Sequence, residues 1–248
     1  MPLTLRTWEV RLGIVLVASS AAIYTAKYLL LGDPENTYTY IFNALGFLPI
    51  NVLLVTLILN QLLSIRAKRE RLEKLNMVIG TFFSEAGTWL LAFISDRDSE
   101  LPELREGLIV TEAWTPETFA GVCDRLQHHH ARIAVDAADL QDLRRYLQGR
   151  RDFFLRLLEN PALLEHESFT DLLRAVFHLT EELERRDDFA GLPASDIRHL
   201  TVDIERVYRL LAREWLAYME YLQKNYPYLF SLAMRSNPFD ETASPVVR

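Results

Sequence analysis

Apolar residues are concentrated in two long stretches near the N-terminus, Leu12–Leu31 and Tyr40–Ile65. Each is long enough to cross a bilayer, since a spanning helix needs about 20 mostly apolar residues. The only charged residue in either stretch is Lys27, which lies near the end of the first, where its ammonium group can reach the lipid headgroups. The pattern therefore predicts a transmembrane helical hairpin over residues 1–65, with helices at about 12–31 and 40–65.

A cleaved signal peptide is the alternative for the first stretch. Arg6 and Arg11 precede the apolar run, and Ser20–Ala22 is a small-residue segment of the kind that signal peptidases cleave. However, the apolar run continues to Leu31, well past that segment. This continuation favours a retained helix.

The distribution of charged residues predicts the orientation of the hairpin. The loop between the two stretches contains Asp33 and Glu35 and no basic residue, whereas basic residues precede the first stretch and follow the second. Because basic residues favour the cytoplasmic side, we expect a multi-pass protein with both termini cytoplasmic. Five basic residues form a collar behind the second stretch, namely Arg66, Lys68, Arg69, Arg71 and Lys74. This basic collar is suited to contact anionic lipid headgroups.

Residues 75–94 form a third apolar stretch, in which Glu85 is the only charged residue. On a helix, Gly80, Ser84 and Gly87 share one narrow face, which allows another helix to approach closely. We predict a buried or interfacial helix here, because the collar contains neither Pro nor Gly and continues the second helix as a rod. The alternative is a third span, which would place the C-terminal region outside the cell.

Downstream, apolar residues recur at a spacing of about 3.6, which is typical of helices. Thr115 followed by Pro116 predicts the start of a helix that continues to Ile133. Further helices are predicted at Ala138–Leu158, Pro161–Arg186 and Ser195–Tyr226, with a turn at Gly191–Pro193 before the last of them.

The predicted fold is therefore all-α. It consists of the transmembrane hairpin, a membrane-proximal rod and apolar helix over residues 66–95, a cytosolic helical bundle over residues 96–237, and a disordered tail over residues 238–248.

The charge and cysteine content exclude several classes of function. From Asn76 onward the chain has 29 acidic and 19 basic residues, a net charge of −10, which argues against nucleic acid as a partner. Cys123 is the only cysteine, so the chain has neither an intrachain disulfide nor a cysteine cluster for zinc. The sequence contains no Gly-rich phosphate loop and no nucleophile elbow. We therefore expect neither enzymatic activity nor a cofactor.

Two histidine patterns do not amount to a metal site. His128–His130 are consecutive, so on a helix their side chains point about 100° apart and cannot converge on one ion. The pairs Asp196/His199 and His178/Glu181 have the i, i+3 spacing of metal sites in helical bundles. Such sites need a Glu-x-x-His motif on two helices, and the sequence lacks this pair of motifs. No metal site is predicted.

The segments Leu72–Gly80 and Asn225–Leu232 resemble stretches of an uncharacterised family of prokaryotic two-helix integral membrane proteins. This resemblance implies a membrane protein, with the bacterial inner membrane as its location, and it implies no particular activity.

A polar stripe on the second apolar stretch suggests what the hairpin does. Asn43 and Gln61 are eighteen residues apart and therefore lie on the same side of a helix, with Asn51 about 80° away. Polar side chains in a span need partners or water, so the stripe predicts a homo-oligomer. Our first hypothesis is a cation-permeable pore lined by Asn43, Asn51 and Gln61, with Asp33 and Glu35 as acidic rings at its outer mouth.

The alternative hypothesis is a membrane-anchored scaffold or sensor without transport. In this interpretation the three amides only join helices, and residues 32–37 are an ordinary polar turn. The cytosolic region would then recruit a protein partner through its acidic surface or through the aromatic run between Trp215 and Phe230.

Overall fold

The computed structural model describes residues 7–31, 34–161, 163 and 166–246. It is all-α, with 79% of the structure helical, and within these residues the only β-type pairing is an isolated bridge between Asp98 and Ile133. The helices are α1 (Thr7–Leu31), α2 (Pro34–Phe82), α3 (Thr88–Ser95), α4 (Pro102–Arg105), α5 (Pro116–His128), α6 (Ala137–Gln148), α7 (Arg151–Leu158), α8 (Glu167–Glu184), α9 (Ala194–Asn225) and α10 (Pro227–Arg235). The chain divides into two compact units, residues 1–68 and 69–248.

The first unit consists of α1 and the beginning of α2. Most of the large apolar side chains described in this unit are exposed, as in Leu30 at 83% and Phe42 at 81%. Within the described residues, one helical segment, Glu35–Ser95, is long and apolar enough to cross a membrane. Its most apolar window has no buried residue. A shorter apolar helical segment covers Ile14–Leu30.

An aromatic pair and a cation–π contact join α1 to the beginning of α2. The rings of Tyr24 and Tyr40 lie 6.3 Å apart. The Lys27 ammonium nitrogen lies 4.7 Å from the centre of the Tyr40 ring, a cation–π geometry. Lys27 thus has an aromatic neighbour at the end of the apolar stretch.

Helix α2 is longer than the predicted 40–65 span at both ends. It begins at Pro34, because proline suits the first position of a helix, where no N–H is needed. Residues 66–74, predicted as a rod, are helical throughout as part of α2. The helix passes through Pro49 and leads into a π-helical turn at Phe83–Gly87, after which α3 continues.

The apolar stretch 75–94 belongs to the core of the second unit. Ile79, Phe82 and Leu90 are at most 4% exposed. The Phe82 ring lies edge-on to Phe169 of α8, with 5.3 Å between the ring centres. These side chains of the stretch are therefore covered by protein, as expected for a buried helix.

Helices α8 and α9 pack against each other in this core, and the turn before α9 is formed by Gly191, whose φ of 146° suits glycine. Helix α9 covers Ala194–Asn225, within one residue of the predicted Ser195–Tyr226. Helix α5 begins after Thr115, whose hydroxyl group accepts a hydrogen bond from the Thr118 N–H. The start of α5 and the bounds of α9 both follow from local sequence signals.

Three predicted boundaries are wrong. The expected helix Ala138–Leu158 is split into α6 and α7, because Arg150 has a non-helical backbone (φ −118°, ψ 6°). Helix α8 begins at Glu167 and not at Pro161, because His166 caps it by accepting a hydrogen bond from the Phe169 N–H. Helix α5 ends at His128, five residues before Ile133.

The C-terminal segment also differs from the prediction of a disordered tail from Pro238. Phe239 is fully buried and lies edge-on to Trp215, with 5.4 Å between the ring centres. The Asn237 side-chain amide donates to the Leu108 carbonyl oxygen and accepts from the Phe239 N–H. The buried aromatic ring and the hydrogen bond to Leu108 therefore hold residues 237–239 against the helical core, and the second hydrogen bond orders the segment itself.

Candidate functional site

The polar stripe on α2 has no hydrogen-bond partner within the part of the chain that the structure describes. Asn43, Asn51 and Gln61 are all exposed. Hydroxyl groups in the same unit behave differently: Thr25 donates to the Ala21 carbonyl oxygen at 2.8 Å, and Thr39 donates to that of Glu35 at 2.9 Å. The three amide groups are therefore available to bind water or another chain.

The structure describes one of the two carboxylates predicted at the outer mouth of the pore. Glu35 lies exposed in the first turn of α2, whereas Asp33 lies outside the described residues. A carboxylate in the first turn also interacts favourably with the helix dipole. Glu35 is thus in a position where it can bind cations, stabilise the helix, or do both.

The basic collar lies on exposed positions of α2, from Arg66 to Lys74. Arg69 Nε lies 3.3 Å from a Glu73 carboxylate oxygen, and both side chains are more than half exposed. Exposed pairs of this kind contribute only about 0.2–1 kcal/mol. The Arg69–Glu73 pair therefore contributes little to the stability of α2.

The small-residue face is used within the second unit. A Cβ at Gly80 would lie 2.5 Å from the Tyr218 hydroxyl oxygen of α9, and one at Gly87 would lie 2.7 Å from the rings of Phe82 and Phe83. Ser84, between them, is exposed. Gly80 thus allows close packing of α2 against α9, a helix of the same chain.

The three consecutive histidines have different roles. His128 is exposed and its ring contacts the Asp124 carbonyl oxygen. His129 is partly buried, and its Nε2 lies 2.6 Å from the fully buried carboxylate of Asp98, which also accepts a hydrogen bond from the Arg132 N–H. This pair joins the loop after α3 to the loop after α5, so it is a structural contact.

The histidines on α8 and α9 meet around a carboxylate that the sequence analysis did not identify. Asp203 is 3% exposed, and its Oδ2 lies 3.6 Å from Nε2 of both His178 and His199. Its Oδ1 accepts a hydrogen bond from Arg206 at 2.9 Å. Among the described residues, no group of three or more histidine, cysteine or acidic side chains is arranged to hold a metal ion.

A second ionic group joins the same two helices. Arg186 donates to both carboxylate oxygens of Asp196, at 2.8 and 2.7 Å, and to Glu182 at 2.8 Å. These hydrogen bonds hold the pKa of both carboxyl groups below their usual values and raise the pKa of the guanidinium. Asp196 is therefore a partner of arginine and not a metal ligand.

A groove of about 790 Å³ lies between α5, α8 and α9. Its charged lining includes Arg174 and His178 from α8 and Arg206, Arg209 and Arg213 from α9. Residues 174 and 178, and residues 206, 209 and 213, are spaced so that each set lies on one helix face. Such spacing is visible in the sequence, but it also fits a solvated helix face, so only the packing of α8 on α9 identifies the groove.

Two family models match the chain. One is described as the C-terminal helical domain of uncharacterized protein MJ1433 and matches residues 71–235, and the other is described as the N-terminal helical domain of MJ1433 and matches residues 4–63. The "Uncharacterized protein MJ1433" of Methanocaldococcus jannaschii is 44% identical to the chain over 229 residues, which are 92% of each chain. The chain belongs to the MJ1433 family.

The match to the N-terminal domain of MJ1433 ends at residue 63, and the match to the C-terminal domain begins at residue 71. The structure divides the chain in the same region, between Lys68 and Arg69. The groove lies entirely within the C-terminal helical domain of the MJ1433 family, and the polar stripe lies within the N-terminal one. No solved structure shows a significant match to the chain.

Proposed function

We propose that this MJ1433-family chain is an integral membrane protein with two spanning helices that forms a homo-oligomeric, cation-permeable pore. In this proposal both termini are in the cytoplasm of a prokaryotic cell, and the C-terminal helical domain regulates the pore. The observation that carries the proposal is the polar stripe: three exposed amide side chains in the mostly apolar stretch Tyr40–Ile65 that have no partner among the described residues.

The exposed surface of the first unit supports the membrane location. A core helix of a soluble protein has its apolar side chains covered by protein, whereas the most apolar window of α2 has no buried residue. Monomeric soluble proteins rarely expose apolar patches of more than a few hundred Å². The apolar segment of α1, Ile14–Leu30, is shorter than that of α2 and lies at the lower end of the range of about 17–25 residues for a spanning helix.

The stripe supports association through α2. Amide groups in hydrocarbon are costly unless they are hydrogen-bonded, and one hairpin offers these three amides no partner among its described residues. Copies of α2 placed around an axis would let the amides bind each other and water. The carboxylate of Glu35, in the first turn of the same helix, would then be repeated as an acidic ring, which attracts cations.

Cation flux into liposomes tests the proposal. The full chain and the Glu35→Gln variant are reconstituted at equal protein density, and the flux of K⁺ is measured at several voltages. Glu112→Gln is the matched control, because Glu112 is an exposed glutamate in the C-terminal domain. We expect flux that Glu35→Gln lowers and Glu112→Gln leaves unchanged. Absence of flux above that of empty liposomes would contradict the pore.

A membrane-anchored scaffold is the second candidate, and α10 carries the observation that favours it. Tyr228 is 72% exposed and Leu232 is 46% exposed. Exposed aromatic and aliphatic side chains on one short helix suit a protein contact. If the chain is a scaffold, we expect the Tyr228→Ala/Leu232→Ala variant to lose a protein that copurifies with the full chain, and neither it nor the parent chain to conduct ions.

A further inference from the structure

The groove between α5, α8 and α9 concentrates positive charge in an acidic part of the chain. Four arginines line it, namely Arg174, Arg206, Arg209 and Arg213. Among the described residues, Asp171 is the only carboxylate in its lining, although residues 76–248 have a net charge of −10. Arg206 is already paired with the buried carboxylate of Asp203. The groove is therefore a local site for an anion, surrounded by a domain that repels large polyanions such as nucleic acids.

The arginines keep donors available for a ligand. Arg174 lies 3.5 Å from the Asp171 carboxylate, and Arg213 lies 3.5 Å from that of Glu214. Both are long single contacts, and each guanidinium has five N–H donors. Arg209 is exposed and has no ion pair within the described part of the chain, so its guanidinium is fully available.

The spacing of the arginines fits more than one anionic group. Arg206 and Arg213 are seven residues apart on α9, with Arg209 between them, which is about 10 Å along the helix at 1.5 Å per residue. Arg174 and His178 lie across the groove on α8. Guanidinium groups bind phosphate in a bidentate manner, and this distance accommodates two or more phosphates in a row.

The rest of the groove is suited to an apolar ring. Leu126 and Cys123 of α5 and Leu210 of α9 line it beside the arginines. Its volume of about 790 Å³ lies within the usual range for small-molecule sites, which combine an apolar wall with a few charged groups.

We propose that this groove binds a small organic molecule with two or more phosphate groups next to an apolar ring, the chemistry of a nucleoside polyphosphate. All of the lining residues lie between Cys123 and Arg213, so the site does not depend on whether the hairpin conducts ions. Lipid headgroups also carry phosphate, and the test separates the two sources.

Calorimetric titration of the full chain with ATP and with inorganic pyrophosphate tests the site. The protein is held in nanodiscs of neutral phosphatidylcholine. We expect both probes to bind, ATP more tightly because its ring contacts the apolar wall. Arg209→Gln should weaken ATP binding at least about tenfold, the effect of losing one hydrogen bond between charged groups. Because Arg209 has no ion pair to lose, this variant should keep the melting temperature of the parent chain.

Arg198→Gln is the matched control, because Arg198 is exposed on the same helix α9 and does not line the groove. Its ATP affinity should equal that of the parent chain. The titration is repeated in nanodiscs that contain phosphatidylglycerol, to identify the source of the phosphate. If this lipid competes with ATP and Arg209→Gln relieves the competition, the result would support the site and assign it to lipid headgroups. The proposal would be overturned if neither probe gives heat in neutral nanodiscs and the lipid shows no such competition. It would also be overturned if Arg209→Gln and Arg198→Gln change the ATP affinity equally.

Discussion

The Tyr218 hydroxyl oxygen lies 2.5 Å from the point where a Cβ on Gly80 would stand, and the ring carbon Cζ lies 3.2 Å from it. The Tyr218 ring is also stacked on Phe83, with 5.5 Å between the ring centres. Burial of this tyrosine raises the pKa of its hydroxyl group. The end of α2 thus approaches α9 at a point where only glycine fits without movement of the tyrosine.

Gly80→Ala should destabilise the C-terminal domain by about 1–2 kcal/mol, since overpacking outweighs the better helix propensity of alanine. The control is Gly121→Ala on α5, because a Cβ there would meet nothing within 4 Å. That change should stabilise the protein by about 0.5–1 kcal/mol. Chemical denaturation followed by circular dichroism measures both.

The double variant Gly80→Ala/Tyr218→Phe isolates the contact. Removing the hydroxyl group relieves the shortest contact with the new methyl group, so the double variant should be more stable than Gly80→Ala. If Gly80→Ala behaves like Gly121→Ala, the close approach of α2 to α9 is wrong.

The Arg186 group makes stability depend on pH. Hydrogen bonds from Arg186 lower the pKa of Glu182 and Asp196 in the folded protein. Carboxyl groups with a lowered pKa contribute stability above their unfolded pKa values of about 4, and this stability is lost as the pH falls through the folded values. The melting temperature should therefore decrease below about pH 4.

Arg186→Gln should remove most of this contribution. We expect a loss of about 1–2 kcal/mol at pH 7 and a smaller further loss between pH 7 and pH 3 than in the parent chain. Thermal melts at both pH values measure the difference, with Arg198→Gln as the control for removal of one positive charge from this region. The same pH dependence in Arg186→Gln and the parent chain would show that other groups cause it.

Local signals predicted most of the helices, because they act within a few residues. Thr115 with Pro116 marked the start of α5, and the apolar periodicity placed α9 within one residue at each end. The break between α6 and α7 was missed because Gly149 is a weak signal in an otherwise periodic stretch. Local patterns therefore identify long helices well and their interruptions poorly.

Features that depend on distant residues were not predictable in the same way. The burial of Phe239 depends on Trp215, which lies 24 residues earlier. The groove likewise forms only where α8 packs on α9, which brings Arg174 near Arg209. In the sequence, the arginines of each helix look like an ordinary solvated face.

Phe239→Ala should destabilise the C-terminal domain by about 3–4 kcal/mol, the usual cost of removing a buried aromatic ring. The control is Val246→Ala, since Val246 is 64% exposed and its truncation should change stability by less than about 0.5 kcal/mol. Denaturation midpoints of the two variants and the parent chain give the comparison. Equal midpoints for all three would mean that the segment after Pro238 does not pack on the core.

Substitution of Asn51 distinguishes two roles of the polar stripe, lining a pore and joining helices. Asn51→Leu removes one of the three amides, whereas Asn60→Leu makes the same change about 140° away from the middle of the stripe. Interhelical hydrogen bonds in membranes contribute about 0.6 kcal/mol on average and 1.7 at most. Asn51→Leu should therefore weaken self-association a few-fold without preventing it, and Asn60→Leu should not weaken it.

Dilution of the labelled chain in micelles, followed by energy transfer between copies, measures the association. Cation flux is then measured at protein densities where both variants are fully assembled. A pore requires that Asn51→Leu still change the flux under these conditions, because the amide lines the pathway. Weaker association with unchanged flux would assign the stripe to helix contacts alone. If both variants associate like the parent chain, α2 does not assemble through this face.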